Sequence, residues 1–153
     1  MSLIGKILTR SHILLDLDVA SKKRVFEQVG LLIENTHGIA RSEIFDCLFA
    51  REKLGSTGLG QGVAIPHGRA RGLKEAVGVF IRLKQAIPFD APDGKAVQCL
   101  FVLLVPEEAT DLHLQVLSEL AQFFSSRQLR EHLLLASNIE DTFHLFTQWC
   151  ANA

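Results

Sequence analysis

The sequence predicts an α/β fold in which a mixed β-sheet is covered by helices. Short β-branched and apolar runs alternate with longer segments whose apolar residues recur at helical spacing. The 153 residues have the length of one ordinary domain, and a composition of 48% hydrophobic and 22% charged residues is that of a globular chain. The predicted order is a strand, two helices, three strands and three helices. We therefore expect a single layered domain over residues 1–153.

The first predicted elements are a strand and two helices. The apolar run at 13–17 predicts the strand. Ser21 offers an N-cap hydroxyl to a helix with apolar residues at helical spacing, and Gly38 is placed to end it. Ser42 is the predicted N-cap of the second helix, which fades over 53–55.

The middle of the chain is rich in glycine. Four glycines in the eight positions from Gly55 to Gly62 predict a loop without regular structure that allows a close approach of backbone to a ligand. The run 63–65 then predicts a short strand that Pro66 cuts off. This places His67 in a loop at a strand end, where we expect its imidazole to be exposed.

The second half completes the sheet and adds helices. Strands are predicted at 77–83 and 97–105, with a turn region over 87–95 between them. Thr110 or Asp111 is the predicted N-cap of the next helix. Helical patterns cover 112–124, 129–135 and 139–149.

Charge and hydropathy exclude several functional classes. The 16 Lys and Arg residues and 17 Asp and Glu residues leave a net charge of -1, which argues against nucleic acid as a partner. The apolar stretch 96–106 is far shorter than the roughly 20 residues that cross a bilayer, so no membrane insertion is expected. Charged residues interrupt every N-terminal apolar run, which predicts a cytoplasmic protein.

Neither a metal nor a cofactor is expected. The three cysteines are odd in number, widely spaced and set among apolar residues, so we expect buried thiols. The histidines outside the central segment lack the close spacing of a zinc site.

The segment with the clearest chemistry runs from Arg51 to Arg69 and reads REKLGSTGLGQGVAIPHGR. A neutral imidazole such as that of His67 is a good nucleophile towards phosphorus near pH 7, and guanidinium groups can hold phosphoryl oxygens. A histidine after a proline, taken alone, is more often a surface or capped residue. Ser56 and Thr57 could donate hydroxyls to a phosphate, although short polar residues beside glycine are also ordinary turn formers. Five positive charges lie in this stretch, on Arg51, Lys53, Arg69, Arg71 and Lys74.

This segment closely resembles the active-site signature of the IIA domains of the bacterial phosphoenolpyruvate-dependent phosphotransferase system. The resemblance is to the fructose and mannitol class, especially its nitrogen-regulatory branch, and it extends over nearly the whole chain to the helix start at 111–114. It implies that His67 is phosphorylated, that Arg51 stabilises the phosphate and that His113 lies beside the phosphorylated ring. The residues alone leave two readings of His113, a histidine that faces an anion at a helix N-terminus or one that packs on the sheet.

The resemblance implies a phosphohistidine carrier and regulatory protein. His67 would accept the phosphoryl group from a histidine-phosphorylated carrier protein, in the manner of a phosphotransferase with a transient phosphohistidine. Regulatory targets of such proteins include sensor kinases and potassium transporters. One alternative is a IIA component of fructose- or mannitol-type sugar transport that passes phosphate to a IIB partner. Another is a phosphate-independent protein-binding module. A chain with one domain and no linker favours the regulatory branch.

Overall fold

In the computed structural model, which describes residues 2–108 and 111–150, a mixed sheet of six strands lies between two layers of helices. The α/β class and the mixed sheet predicted from the sequence are thereby confirmed. The strands are β1 (Ile13–Leu17), β2 (Gly58–Gly60), β3 (Val63–Ala64), β4 (His67–Ala70), β5 (Val77–Ile87) and β6 (Val97–Pro106). The helices are α1 (Leu3–Ile7), α2 (Lys22–His37), α3 (Arg41–Glu52), α4 (Leu112–Ser125), α5 (Arg127–Leu135) and α6 (Ile139–Thr147).

Local signals set the ends of α2, whereas a neighbouring helix sets the start of α3. Ser21 Oγ accepts the backbone N–H of the first turn of α2, and Gly38 ends the helix with a left-handed φ of 71°. The prediction that Ser42 caps α3 is wrong, because α3 already begins at Arg41. The Arg41 N–H donates to the carboxylate of Glu34 on α2 at 2.9 Å, so a side chain of the preceding helix satisfies this helix start.

Two further helix starts show the limits of local signals. The helix α1 has only five residues, which is too short for a helical periodicity to show in the sequence. Its Leu3 N–H donates to Glu119 on α4 at 2.9 Å. The helix α4 follows Asp111, whose side chain makes no capping hydrogen bond. Thr110, the other predicted N-cap, lies outside the described residues.

Strand β6 is the central strand of the sheet. It pairs with β5 in antiparallel fashion on one side, and with both β3 and β4 in parallel fashion on the other. Val63 lies opposite Cys99 and His67 lies opposite Leu103, so β3 and β4 keep one register along β6. The two strands therefore follow a single line that is interrupted between them.

Pro66 causes the interruption. It has no N–H to give to the sheet, but its carbonyl accepts the Leu103 N–H at 2.9 Å, so pairing resumes immediately. The prediction that His67 lies exposed in a loop is wrong for this reason, since His67 is the half-buried first residue of β4. The prediction that 55–62 lacks regular structure is also wrong, because β2 pairs with β3.

Each face of the sheet has its own apolar core. The helices α2 and α3 cover one face, with residues such as Phe26 and Ile44 packed on Val79 and Val102. The helices α1, α4, α5 and α6 cover the other face. That second core contains a cluster of aromatic rings from Phe80, Phe101, Phe123, Phe124 and Phe146. Within residues 2–108 and 111–150, no helix is both long and apolar enough to cross a membrane.

The cysteines only partly match the expectation of buried thiols. All three are free, but Cys99 alone is buried, while Cys47 is half-buried and Cys150 is exposed near the end of the chain. An apolar neighbourhood in the sequence predicted burial for Cys150, yet that residue lies beyond the end of α6, outside the helix face that packs on the core.

The contact between α3 and β4 depends on Gly68 and gives a first prediction. A Cβ atom at position 68 would lie 2.9 Å from Cys47 Sγ and 3.1 Å from the Cys47 carbonyl oxygen. We expect Gly68→Ala to lower the free energy of unfolding by about 1–3 kcal/mol, because α3 would have to move away from the sheet. Urea unfolding measures this, and adding Cys47→Ala should restore part of the loss. An unchanged free energy in Gly68→Ala would contradict the close contact.

Candidate active site

A cleft of about 480 Å³ lies where the end of α3, the strand β4 and the start of α4 meet. Three predicted site residues line it, each from a different element: Arg51 from α3, His67 from β4 and His113 from α4. The structure thus brings together side chains that are separated by up to 62 positions in the chain.

The hydrogen bonds of His67 define the protonation of its ring. Nδ1 lies 2.9 Å from the carbonyl oxygen of Ile65, and Nε2 lies 3.3 Å from Nε of Arg51. A carbonyl oxygen only accepts and a guanidinium N–H only donates, so Nδ1 carries the hydrogen and Nε2 keeps its lone pair. The neutral Nδ1–H tautomer follows from these two contacts, and Nε2 is the ring nitrogen that has a free lone pair.

The surroundings of His67 keep its imidazole neutral. Burial lowers the pKa of His67 below its usual value of 6.5, and the positive charge of Arg51 lowers it further. The hydrogen bond to Ile65 and the distant carboxylate of Glu52 act in the opposite direction without reversing the shift. A ring whose pKa lies below 6.5 is mostly unprotonated at pH 7, as a nucleophile must be.

Arg51 is held over the ring by the chain that follows α3. It lies in the last turn of the helix, and its Nη1 donates to the Gly55 carbonyl at 2.8 Å while Nε points at His67. The side chain is half-buried. Two anchors therefore hold the guanidinium plane at the cleft, where it can meet an anion through its remaining N–H groups.

His113 lies in the first turn of α4 and has an unsatisfied ring atom. Its Nδ1 is buried, and among residues 2–108 and 111–150 no hydrogen-bond partner reaches it. Leaving a buried polar atom unpaired costs about 1–3 kcal/mol. His113 also lines the cleft, whereas its Nδ1 is enclosed by protein, so the two readings from the sequence, a histidine beside an anion and one packed on the sheet, both stay predictions.

Ser56 and Thr57 have other partners in the structure. Ser56 Oγ donates to the Phe89 carbonyl at 2.7 Å, and Thr57 Oγ1 donates to Glu52 at 2.6 Å. Neither residue lines the cleft. Their hydroxyl hydrogens hold the glycine-rich segment in place, and the contact with phosphate that the sequence suggested for them stays a prediction.

Sequence reasoning missed Glu52. Its carboxylate is buried, pairs with Lys22 at 3.0 Å, and accepts both the backbone N–H and the hydroxyl of Thr57. In the sequence, Glu52 lies between Arg51 and Lys53 on a helix, where an acidic residue normally faces solvent. No spacing signal distinguishes it, because its partners come from α2 and from the following loop.

The basic stretch is divided between several sites. Arg51 and Arg69 line the cleft, and Arg69 Nη1 donates to the Glu107 carbonyl at 3.1 Å. Arg71 pairs with the Glu107 carboxylate at 3.6 Å, and Lys74 lines a different cavity. Across residues 2–108 and 111–150, no group of three His, Cys, Asp or Glu side chains is placed to hold a metal ion.

Comparisons with known proteins find a matching family and close relatives of this chain. The family model for the phosphoenolpyruvate-dependent sugar phosphotransferase system, EIIA 2, matches residues 6–149. A nitrogen regulatory protein of Pseudomonas aeruginosa is 40% identical over 143 residues, which are 93% of each chain. The crystal structure of nitrogen regulatory protein IIA-Ntr from Neisseria meningitidis is 57% identical, with a TM-score of 0.90 over 95% of this chain and 100% of that one.

The fold is also shared with a more distant protein. The Escherichia coli mannitol IIA, solved in complex with phosphorylated mannitol IIB, is 18% identical, with a TM-score of 0.78 over 94% of this chain and 100% of that one.

The protonation of His67 gives a second prediction. By NMR titration we expect the His67 ring to titrate with a midpoint below 6.5, and Arg51→Gln to raise that midpoint, because one cause of the lowered pKa is removed. Arg127→Gln, which removes an exposed and remote charge, should leave the midpoint unchanged. A wild-type midpoint above 6.5 would refute the assignment.

The same shift fixes the sign of a stability effect. The unfolded chain binds a proton at this position more readily than the folded one does. The contribution of His67 to the free energy of unfolding is therefore fully present above about pH 6.5 and is lost as the pH falls towards the folded pKa.

Proposed function

This chain belongs to the EIIA 2 family of the phosphoenolpyruvate-dependent sugar phosphotransferase system, and we propose that His67 is the residue through which it accepts a phosphoryl group. The protein is then a phosphohistidine carrier whose phosphorylation state is its regulatory signal. The observation that carries the proposal is the neutral Nδ1–H tautomer of His67, which leaves the Nε2 lone pair at a cleft beside a guanidinium group.

The transfer needs no proton to be moved by this chain. Nε2 of His67 attacks the phosphorus, the nitrogen–phosphorus bond to the donor histidine breaks, and the donor imidazole leaves with that electron pair. The His67 ring then carries Nδ1–H and a phosphorylated Nε2, with positive charge on the ring. The Ile65 carbonyl accepts the Nδ1–H and stabilises that charge. Because positioning and charge stabilisation do most of the work of phosphoryl transfer, this arrangement is sufficient.

Arg51 and His113 stabilise the phosphoryl oxygens. The phosphorus occupies the direction in which Arg51 Nε now donates to Nε2, so the guanidinium N–H shifts from the nitrogen lone pair to an oxygen. His113 donates its ring N–H to another oxygen, from the first turn of α4, where backbone N–H groups favour an anion.

The rim of the cleft fits a protein donor. Leu54 is 85% exposed and Leu114 is 59% exposed, and both line the cleft. Exposed apolar side chains around a polar centre are typical of a surface that meets another protein. Leu112 is exposed at the start of α4 but does not line the cleft, and Val63 is buried and belongs to the core.

The donor is a histidine-phosphorylated carrier protein, and the targets are regulatory. The names of the nitrogen regulatory relatives support the regulatory reading. Sensor kinases and potassium transporters are the targets that this branch suggests. A second candidate function is onward transfer to a IIB protein, which the shared fold with mannitol IIA supports, since that protein was solved with phosphorylated IIB.

Phosphate incorporation is the third prediction. With label from phosphoenolpyruvate and the upstream phosphotransferase proteins, wild type should take up an acid-labile label and His67→Ala none, because the nucleophile is gone. His113→Ala and Arg51→Gln should still be labelled, at rates lowered roughly 10²-fold, since each removes one donor to the transferring group.

The controls separate chemistry from folding. His132→Ala removes an exposed histidine on α5 and should be labelled at the wild-type rate. Circular dichroism should show that each variant is folded. Normal labelling of His67→Ala would remove His67 from the mechanism, and no labelling of wild type by an active, matched donor would favour a phosphate-independent binding module. Loss of label to an added IIB protein would favour the second candidate.

A further inference from the structure

Glu52 is a buried carboxylate beside the site that the transfer itself does not use. Its side chain is 4% exposed, and it does not touch His67 but faces away from the cleft towards Lys22 and Thr57. Buried ion pairs are weak contributors to stability, because desolvation offsets the attraction. The three hydrogen bonds that Glu52 accepts therefore suggest a positional role.

A continuous series of hydrogen bonds leads from Glu52 to the His67 ring. The carboxylate accepts the Thr57 N–H at 3.0 Å and the Thr57 hydroxyl at 2.6 Å. The Thr57 carbonyl accepts the Ile65 N–H at 3.0 Å. The Ile65 carbonyl in turn accepts the Nδ1–H of His67 at 2.9 Å. Glu52 thus holds Thr57, Thr57 holds Ile65, and Ile65 holds the ring.

We propose that Glu52 is a positioning residue that selects the Nδ1–H tautomer of His67 by fixing the backbone of Thr57 and Ile65. The orientation of the Ile65 carbonyl decides which ring nitrogen keeps the hydrogen, and hence which nitrogen is free to attack phosphorus. The consequence for phosphate transfer rests on the proposed function of His67, whereas the effect on the tautomer does not.

Arg51 and Pro66 are the two neighbours of this series. Arg51 donates to Nε2 and so favours the same tautomer, but it does not hold the Ile65 carbonyl. Pro66 fixes the chain on the far side of Ile65, through the Leu103 N–H bond to its carbonyl. On the other side, the Thr57 carbonyl holds the Ile65 N–H, and the buried carboxylate of Glu52 holds Thr57.

The fourth prediction tests this in the unphosphorylated protein. Long-range ¹H–¹⁵N NMR of the His67 ring should show the Nδ1–H tautomer in wild type. In Glu52→Ala we expect a several-fold rise in the Nε2–H form, and a smaller rise in Thr57→Val, which loses the hydroxyl but keeps the backbone N–H. Glu52→Gln should fall between wild type and Glu52→Ala, because one oxygen remains to accept from Thr57.

Glu34→Ala is the matched control. Glu34 also accepts a backbone N–H and pairs with a basic residue, but on the exposed side of α2 and α3. It should lower stability without changing the His67 tautomer. If Glu52→Ala does not fold, Glu52→Gln and Thr57→Val carry the test. An unchanged tautomer in the folded Glu52 and Thr57 variants would overturn the proposal.

The labelling rate separates this proposal from the proposed function. Where the tautomer shifts, labelling by the phosphorylated donor should slow in proportion to the lost Nδ1–H fraction. A shifted tautomer in a protein that accepts no phosphate even as wild type would refute the proposed function and leave the positioning role intact. An unshifted tautomer in the variants, together with normal labelling of wild type, would refute the positioning role and leave the proposed function intact.

Discussion

The geometry of the cleft depends on the interruption of one strand line by Pro66. A proline within a parallel ladder removes one donor, and here its own carbonyl still pairs with Leu103, so the strand continues in the same register. The Ile65 N–H donates to the Thr57 carbonyl, so Ile65 faces away from β6 and its own carbonyl accepts from the His67 ring. Pairing with β6 on one side of this strand line and the ring contact on the other side together fix the orientation and the tautomer of the ring.

Helix packing on either side of β4 supplies the remaining groups. Because Gly68 has no side chain, α3 approaches closely enough for Arg51 to reach Nε2. The start of α4 brings His113 to the same cleft from the opposite layer. Burial by these helices and the charge of Arg51 both lower the pKa of His67, so the packing that forms the cleft also keeps the imidazole neutral.

Hydrophobic periodicity predicted the fold class, and the resemblance to IIA domains predicted the three residues that meet in the cleft. The sequence failed where contacts between elements decide. The strand β4 depends on pairing with β6, the start of α3 is held by Glu34 of α2, and the first turn of α1 donates to Glu119 of α4. Glu52 was missed for the same reason, since no spacing in the chain shows that Lys22 and Thr57 converge on it.

The burial of Glu52 also solves an electrostatic problem of the site. A carboxylate next to Arg51 in the sequence would, if it faced the cleft, repel a phosphoryl dianion and compete for the guanidinium group. Lys22 and Thr57 instead hold it behind the loop, where the ammonium group 3.0 Å away balances its charge. Arg51 then remains available to the cleft. The buried contacts of Glu52 therefore order the loop and also keep its negative charge out of the cleft.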